Sequence, residues 1–388
     1  MCSFDGLSED SHAMNPRSKK KLRSGFTTGA AAAAATKGAL RLILDQKPTD
    51  SVQITFLTGH RQPIAIHTAV LETAHSACCT VIKDAGDDPD ITHKAEIGAR
   101  VKVRPIQGDS HNIEIIGGQG VGRVTKPGLE IAVGQAAINP GPVQMIHQAI
   151  HEVLADQPRQ LGVNVEVFVP KGQELAQKTL NARLGILGGI SILGTTGIER
   201  PMSHEAYLAT IEKSLSVARA CGNCKVVLTT GRRSERFARD LWPQTAPEAF
   251  IQIGDFFKAS LQMAANLEFK EVSLAVFFGK AVKMARGTEQ THAARSRLTL
   301  ARLADWTRQI TGNADLAQDI RHANTARLAF DLLQQQAPEV IRRVGNELLT
   351  WARHFSGTHL SIRVVIFDFQ GQVAYDSRQS RLNKEEQK

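Results

Sequence analysis

Apolar residues recur at helical spacing from Ala30 to Leu40, Ile43 and Leu44, directly after the hydroxyl- and glycine-rich run Ser24-Gly25-Phe26-Thr27-Thr28-Gly29. That pattern predicts a capped helix beginning near Ala30. From Val52 to about Ile116 the period shortens, and β-branched segments at 52–56, 64–66, 77–82, 101–103 and 113–115 predict strands separated by turns. A helix over 142–154 and a strand over 163–169 complete an α+β half with a mixed sheet. Beyond a glycine-rich stretch at 185–197 the chain alternates: helix 203–220, strands 225–229 and 250–253, helix 256–266, strand 272–278. Such alternation predicts a parallel, Rossmann-like α/β sheet. A helical section over 293–355 and a strand pair at 362–367 and 373–375 follow. The expected organisation is a disordered basic tail (1–21), an α+β domain (22–180), a Rossmann-like α/β domain with a helical section (181–378) and a polar tail (379–388).

With 388 residues, 42% hydrophobic and 22% charged, the chain has enough material for two separate cores. No run approaches the roughly 20 apolar residues of a membrane helix, and the polar start offers no apolar export region. The expectation is a cytoplasmic protein without a membrane partner. The five cysteines form an odd, sparse set and are expected to be reduced thiols. Cys221 and Cys224 have metal-ligand spacing, but no second pair completes a zinc set, and His147 and His151 lack the glutamate of a zinc protease. No metal site is expected. The net charge of +9 favours a polyanionic partner. Only 5% of residues are aromatic, and no basic stretch is interleaved with stacking rings, so nucleic acid is not the expected partner.

Five segments carry candidate chemistry. Thr27, Thr28 and Gly29 stand at a helix N-terminus, where free N–H groups attract an anion, although the same residues serve as an ordinary cap. The run from Lys83 to His93 gathers Asp84, Asp87, Asp88 and Asp90 in a turn-rich loop with the wrong spacing for calcium. It suits a positive sulfonium or ribose hydroxyls, and its aspartates are equally good turn formers. The glycine-rich loop 117–128 is not a dinucleotide fingerprint, since Pro127 denies it a helix, but it carries Arg123 and Lys126 toward carboxylates. In Leu184–Ser203 five glycines invite close approach to the backbone, whether by a ligand or by packing, and Thr195-Thr196-Gly197 repeats Thr27-Thr28-Gly29. Finally, Lys280 and Lys283 lie one helical turn apart after an apolar strand, where α/β sheets bind ligands, or on a solvated helix face.

In order, the segments GFTTGAAAAAATK, CCTVIKDAGDDPDITH, GGQGVGRVTKPGL, AINPGPVQMI, ARLGILGGISILGTTGIERPMS and FFGKAVKMARGTEQTH resemble the cobalt-precorrin-5B C(1)-methyltransferase family over roughly residues 22–375. The resemblance implies methyl transfer from S-adenosylmethionine to carbon 1 of a polycarboxylate corrinoid, giving cobalt-precorrin-6A, with the cobalt belonging to the substrate. On the residue chemistry of these segments, the cofactor is expected at Asp84, Asp87, Asp88, Gly188, Gly189, Gly194, Thr195, Thr196 and Gly197. The macrocycle would be held by Thr27, Thr28, Gly29, Arg123, Lys126, Lys280 and Lys283. Asp84, His93 and His292 are the candidate catalytic residues. The chain departs from the family pattern at Ala30-Ala31, where a Thr-Cys pair is usual, and after His292, where it reads Ala293-Ala294-Arg295-Ser296-Arg297. Two alternatives are a paralogue acting on a related or metal-free precorrin and a basic RNA-binding α+β protein. A homo-oligomer is compatible with either.

Overall fold

In a computed structural model that describes residues 22–106, 112–155, 157, 160–201, 203–291, 296–357 and 359–378, helix Thr28–Asp45 is the pillar of the first half. Its six consecutive alanines, Ala30 to Ala35, are wholly buried. Alanine is the strongest helix former, and a helix apolar on every side is one that other elements surround. Thr27 caps it, its hydroxyl accepting from the Ala30 N–H at 3.3 Å, and Gln46 ends it in the left-handed conformation. Helix Pro140–Leu154 packs along it, close enough that a Cβ on Gly29 would sit 2.6 Å from the Pro142 ring.

The other side of the helix lies on a five-stranded sheet in the order Thr68–Thr73, Ser76–Ile82, Glu96–Pro105, Leu161–Phe168, Asn112–Gly117. All neighbours are antiparallel except the last pair, so this sheet is mixed. Alternate residues Val163, Val165 and Val167 are wholly buried, the period of a strand with one face on the core. A separate hairpin joins Ser51–Thr55 to Arg61–Ala65.

A second five-stranded sheet runs Phe250–Gln252, Lys225–Thr229, Glu271–Phe277, Ser361–Phe367, Val373–Asp376, parallel until the antiparallel edge strand. Helices His204–Ala220, Phe257–Asn266 and Pro338–Ser356 bury Val226, Leu228, Leu274 and Ile366 on one face. Helix Arg232–Leu241 covers Val227, Ala275 and Val365 on the other. The chain order reverses between Lys225–Thr229 and Glu271–Phe277, the switch point at which such sheets open a crevice. Helices Ser296–Thr311, Ala314–His322 and Ala326–Gln336 form the rest of the expected helical section.

Several elements escape the sequence pattern, among them the two-residue strands Gly25–Phe26, Arg123–Val124, Ile186–Leu187 and Ile198–Glu199, the short helix Gly172–Ala176 and two longer elements. Strand Thr68–Thr73 is an edge strand exposed along most of its length, so it carries no alternation to detect. Helix Arg232–Leu241 is dominated by charged residues and buries little beyond Ala238 and the side chains of Ser234 and Glu235. The two expected tails fall outside the described residues. Among the described residues no helix is long and apolar enough to cross a membrane.

Candidate functional site

The segment Arg23–Gly29 is held between two loops far away in sequence. On one side, strand Gly25–Phe26 pairs with Ile198–Glu199, Thr27 N–H donates to the Gly197 carbonyl at 3.0 Å, and Gly29 N–H donates to the Leu193 carbonyl at 3.1 Å. On the other, Phe26 N–H donates to the Asp84 carbonyl at 2.8 Å and Arg23 N–H to the Asp87 carboxylate at 2.7 Å. Thus the first hydroxyl-glycine run, the aspartate loop and the second Thr-Thr-Gly run converge as one cluster. The convergence has a consequence for Thr27, Thr28 and Gly29. Both hydroxyls are buried and hydrogen-bonded within the protein, and the Thr27, Gly29 and Ala30 N–H groups already have acceptors. The expectation of free N–H groups waiting for an anion is corrected at these positions.

The aspartate loop is organised around two cations. Lys83, 1% exposed, pairs with Asp90 and with Glu199 at 3.1 Å and donates to the Thr92 hydroxyl at 2.9 Å. Burial opposes ionisation of Asp90, but Lys83 beside it outweighs that and leaves the carboxyl below its ordinary range. Glu199 moves the other way, pushed up by burial. Arg23 grips Asp84 with both guanidinium nitrogens, and this hydrogen bonding holds the Asp84 carboxyl down at about 2. Asp84 is therefore an anchored carboxylate. His93 accepts the Ala85 N–H on Nδ1 at 3.1 Å, leaving Nε2 for other partners. Asp87 is exposed and Asp88 half-buried.

In the glycine-rich stretch, packing accounts for some positions and leaves others open. A Cβ on Gly194, whose φ is +135°, would stand 2.3 Å from the Thr27 hydroxyl, and one on Gly189 would meet the Gly120 carbonyl at 2.1 Å. Gly197 lies against Phe56, and the Thr196 hydroxyl accepts the Ile198 N–H at 3.2 Å. By contrast, a Cβ on Gly188 would meet nothing within 4 Å, and Thr195 is exposed. Leu187 and Leu193, each just before a glycine, are exposed at 52% and 46%.

The basic residues divide. Arg123 pairs in register with Leu187 and is exposed, its guanidinium donating to the Gly134 carbonyl. Lys126 reaches Glu248 at 3.1 Å. Lys280 opens helix Phe278–Met284 and pairs with Asp255, while Thr291 donates to the same carboxylate at 2.7 Å. Burial and the neighbouring Lys280 push the Lys283 ammonium below the usual lysine range. Lys126 and Lys280 thus have carboxylate partners inside the protein, which corrects the picture of freely presented cations. That helix packs on Glu271–Phe277, Ser361–Phe367 and the helices Ser296–Thr311, Ala326–Gln336 and Pro338–Ser356, on the parallel sheet rather than at the Thr27 cluster. His292 lies outside the described residues. Among the described residues no group of three or more His, Cys, Asp or Glu side chains could hold a metal ion.

Sequence reasoning missed a third Thr-Thr-Gly, Thr229-Thr230-Gly231, at the carboxyl end of strand Lys225–Thr229. The repeated tripeptide was itself the available signal. It leads into Arg232, which lines a cleft of about 220 Å3 together with Arg183, Tyr207 and Glu248.

The family model described as CbiD matches residues 15–201, and that described as CbiD, C-terminal domain, matches residues 290–378. A cobalt-precorrin-5B C(1)-methyltransferase of Citrifermentans bemidjiense is 41% identical over 364 residues, 92% of this chain and 99% of the relative. One of Geobacillus thermodenitrificans is 43% identical over 356 residues, 91% of this chain and 94% of its own. A crystal structure of the cobalamin biosynthesis protein cbiD from Archaeoglobus fulgidus aligns with 25% identity over 72% of this chain and 84% of that one, at a TM-score of 0.37. With both family models matched in order and relatives above 40% identity along nearly the whole length, the chain belongs to the CbiD family.

Proposed function

We propose that this protein transfers a methyl group from S-adenosylmethionine to carbon 1 of cobalt-precorrin-5B in the cytoplasm, giving cobalt-precorrin-6A. The observation that carries the reading is the 41% identity, across 92% of this chain and 99% of the relative, to a protein that bears that activity in its name. The donor set fits the cofactor: the exposed carboxylate of Asp87, with Asp88 following it in the chain, suits ribose hydroxyls or a sulfonium, while the exposed Thr195 offers a hydroxyl and Gly188 an approachable backbone. Asp84, Gly189, Gly194, Thr196 and Gly197 shape that surface and hold it together. When bound, S-adenosylmethionine supplies an electrophilic methyl group, and the chain's own task is alignment and charge placement rather than a covalent nucleophile.

On this reading Arg123, beside the exposed Leu187, meets the rim of an acidic macrocycle, and Lys283 adds positive charge nearer the parallel sheet. Lys126 and Lys280 set the field through their paired carboxylates. Thr27, Thr28 and Gly29 act as positioning residues for the 193–197 loop. His93, whose Nε2 has no hydrogen-bond partner among the described residues, is a candidate base, and Asp84 orients the loop around it. We further read the chain as two domains, the second Rossmann-like, as the separate hydrophobic clusters and the four parallel strands with helices on both faces support. The boundary expected at 180/181 moves to about residue 200, because Ile190 and Ile192 pack in the first cluster and Ile198–Glu199 pairs with Gly25–Phe26. The test is anaerobic incubation with cobalt-precorrin-5B and, separately, its metal-free counterpart. A product heavier by one methyl group from the cobalt form alone supports the reading, and methylation of the metal-free ring alone overturns it.

A further inference from the structure

The cleft beside Arg232 lies between the segment carrying Leu180 and Arg183, helix His204–Ala220 and the edge strand Phe250–Gln252. At about 220 Å3 it falls short of the roughly 300–1,000 Å3 of a site that swallows a whole ligand. It has room for an arm. Most of the charge around it is already paired: Arg183 with Glu235, which is also held by Arg239 and by Gln252 at 2.7 Å, and Glu248 with Lys126. Arg232 is different. It is exposed, and among the described residues it makes no hydrogen bond, ion pair or ring contact, although it projects from the first turn of a ten-residue helix.

We propose that this cleft is a carboxylate subsite, in which Arg232 and the Tyr207 hydroxyl receive one acidic arm of the macrocyclic substrate while the ring stays outside. The inference rests on the methyltransferase reading for the identity of the acid. An anion needs donors, and the other hydroxyls facing the cleft have already given their protons: Thr210 to the Ala206 carbonyl at 2.9 Å and Ser214 to the Thr210 carbonyl at 2.7 Å. Among the described residues the Tyr207 hydroxyl, which lies over Gly254, has no such acceptor, and burial together with Asp255 raises its pKa, so it stays a phenol able to donate. Its ring is stacked 5.2 Å from that of Phe256, which fixes its direction. Arg232 is held by the turn that follows strand Lys225–Thr229, where the Ser234 hydroxyl donates to the Gly231 carbonyl at 3.0 Å. A guanidinium so placed, outside the carboxyl end of a parallel strand, grips a carboxylate with two parallel hydrogen bonds.

The same carboxylate chemistry occurs on the methionine end of the methyl donor, and kinetics separates the two sources. In Arg232→Gln the KM for cobalt-precorrin-5B should rise at least about tenfold, with the loss falling on KM rather than on kcat, and the KM for S-adenosylmethionine should stay put. Arg232→Lys should fall between, because charge remains while the fork is lost. Tyr207→Phe should raise the same KM more modestly. A parallel titration of uroporphyrin III, an octacarboxylate, should show weaker binding to Arg232→Gln than to the unaltered protein. An unchanged corrinoid KM, or a rise confined to S-adenosylmethionine, overturns the subsite. If the unaltered protein fails to methylate but binds uroporphyrin through Arg232, the methyltransferase reading falls and the carboxylate subsite stands.

Discussion

The Thr28 hydroxyl accepts the Leu193 N–H at 2.9 Å and donates to the Leu193 carbonyl at 3.2 Å, so a single side chain ties the cap of the buried alanine helix to a loop 165 residues away. Thr28→Val keeps the shape and removes both bonds. It should cost about 1–3 kcal/mol, the usual penalty for stranding a buried polar group, seen as a lower urea midpoint with unchanged slope. Thr28→Ser should recover most of the loss.

Gly194 and Gly188 both have positive φ, at +135° and +82°, but only Gly194 is crowded. Gly194→Ala drives a methyl group into Thr27 and should destabilise by about 1–3 kcal/mol. Gly188→Ala, with open space before it, should carry only the left-handed backbone penalty of about 1–2 kcal/mol. Thermal unfolding of the two variants should rank them in that order.

Thr195 is exposed and should be silent in folding, with Thr195→Ala within about 0.5 kcal/mol of the unaltered protein. Its effect should appear in calorimetry as weaker S-adenosylmethionine binding. Unchanged affinity would place the cofactor elsewhere.

Lys83 neutralises two carboxylates from a buried position, so Lys83→Met leaves Asp90 and Glu199 facing each other. Breaking a buried pair from one side costs about 3–5 kcal/mol. Adding Glu199→Gln should restore part of it, a coupling that a double-mutant cycle measures directly.

Asp84 is held at about 2, below its ordinary 3.8, by the Arg23 guanidinium. A carboxyl depressed in the folded state adds stability that is fully present above about pH 4 and fades as the pH falls toward 2. Arg23→Ala should therefore be less stable above pH 4 and converge with the unaltered protein below pH 2, by a modest margin because both groups are largely exposed. Denaturant midpoints across that range give the comparison.

Much of the architecture is legible in the pattern of residues. The alanine helix, the mixed run of strands and the alternation after residue 200 show themselves through local periodicity, which a strand or helix must satisfy to bury a face. Pairing is not local, and there the sequence is silent. Nothing near Lys280 announces Asp255, and nothing near Arg23 announces Asp84, so cations that look free along the chain prove to be engaged in space. Thr27 and Thr28 show the converse. Their spacing reads equally as a cap or an anion site, and only the arrival of Leu193 and Gly197 shows where the hydrogen bonds go. Arg232 was hidden in a helix with only three apolar residues, Phe237, Ala238 and Leu241, too few to mark an element.

The most direct test is transfer of label. Anaerobic incubation of the protein with methyl-labelled S-adenosylmethionine and cobalt-precorrin-5B should place one labelled methyl group on carbon 1 of the recovered corrinoid. Label absent from the corrinoid, or found on another carbon, would contradict the account.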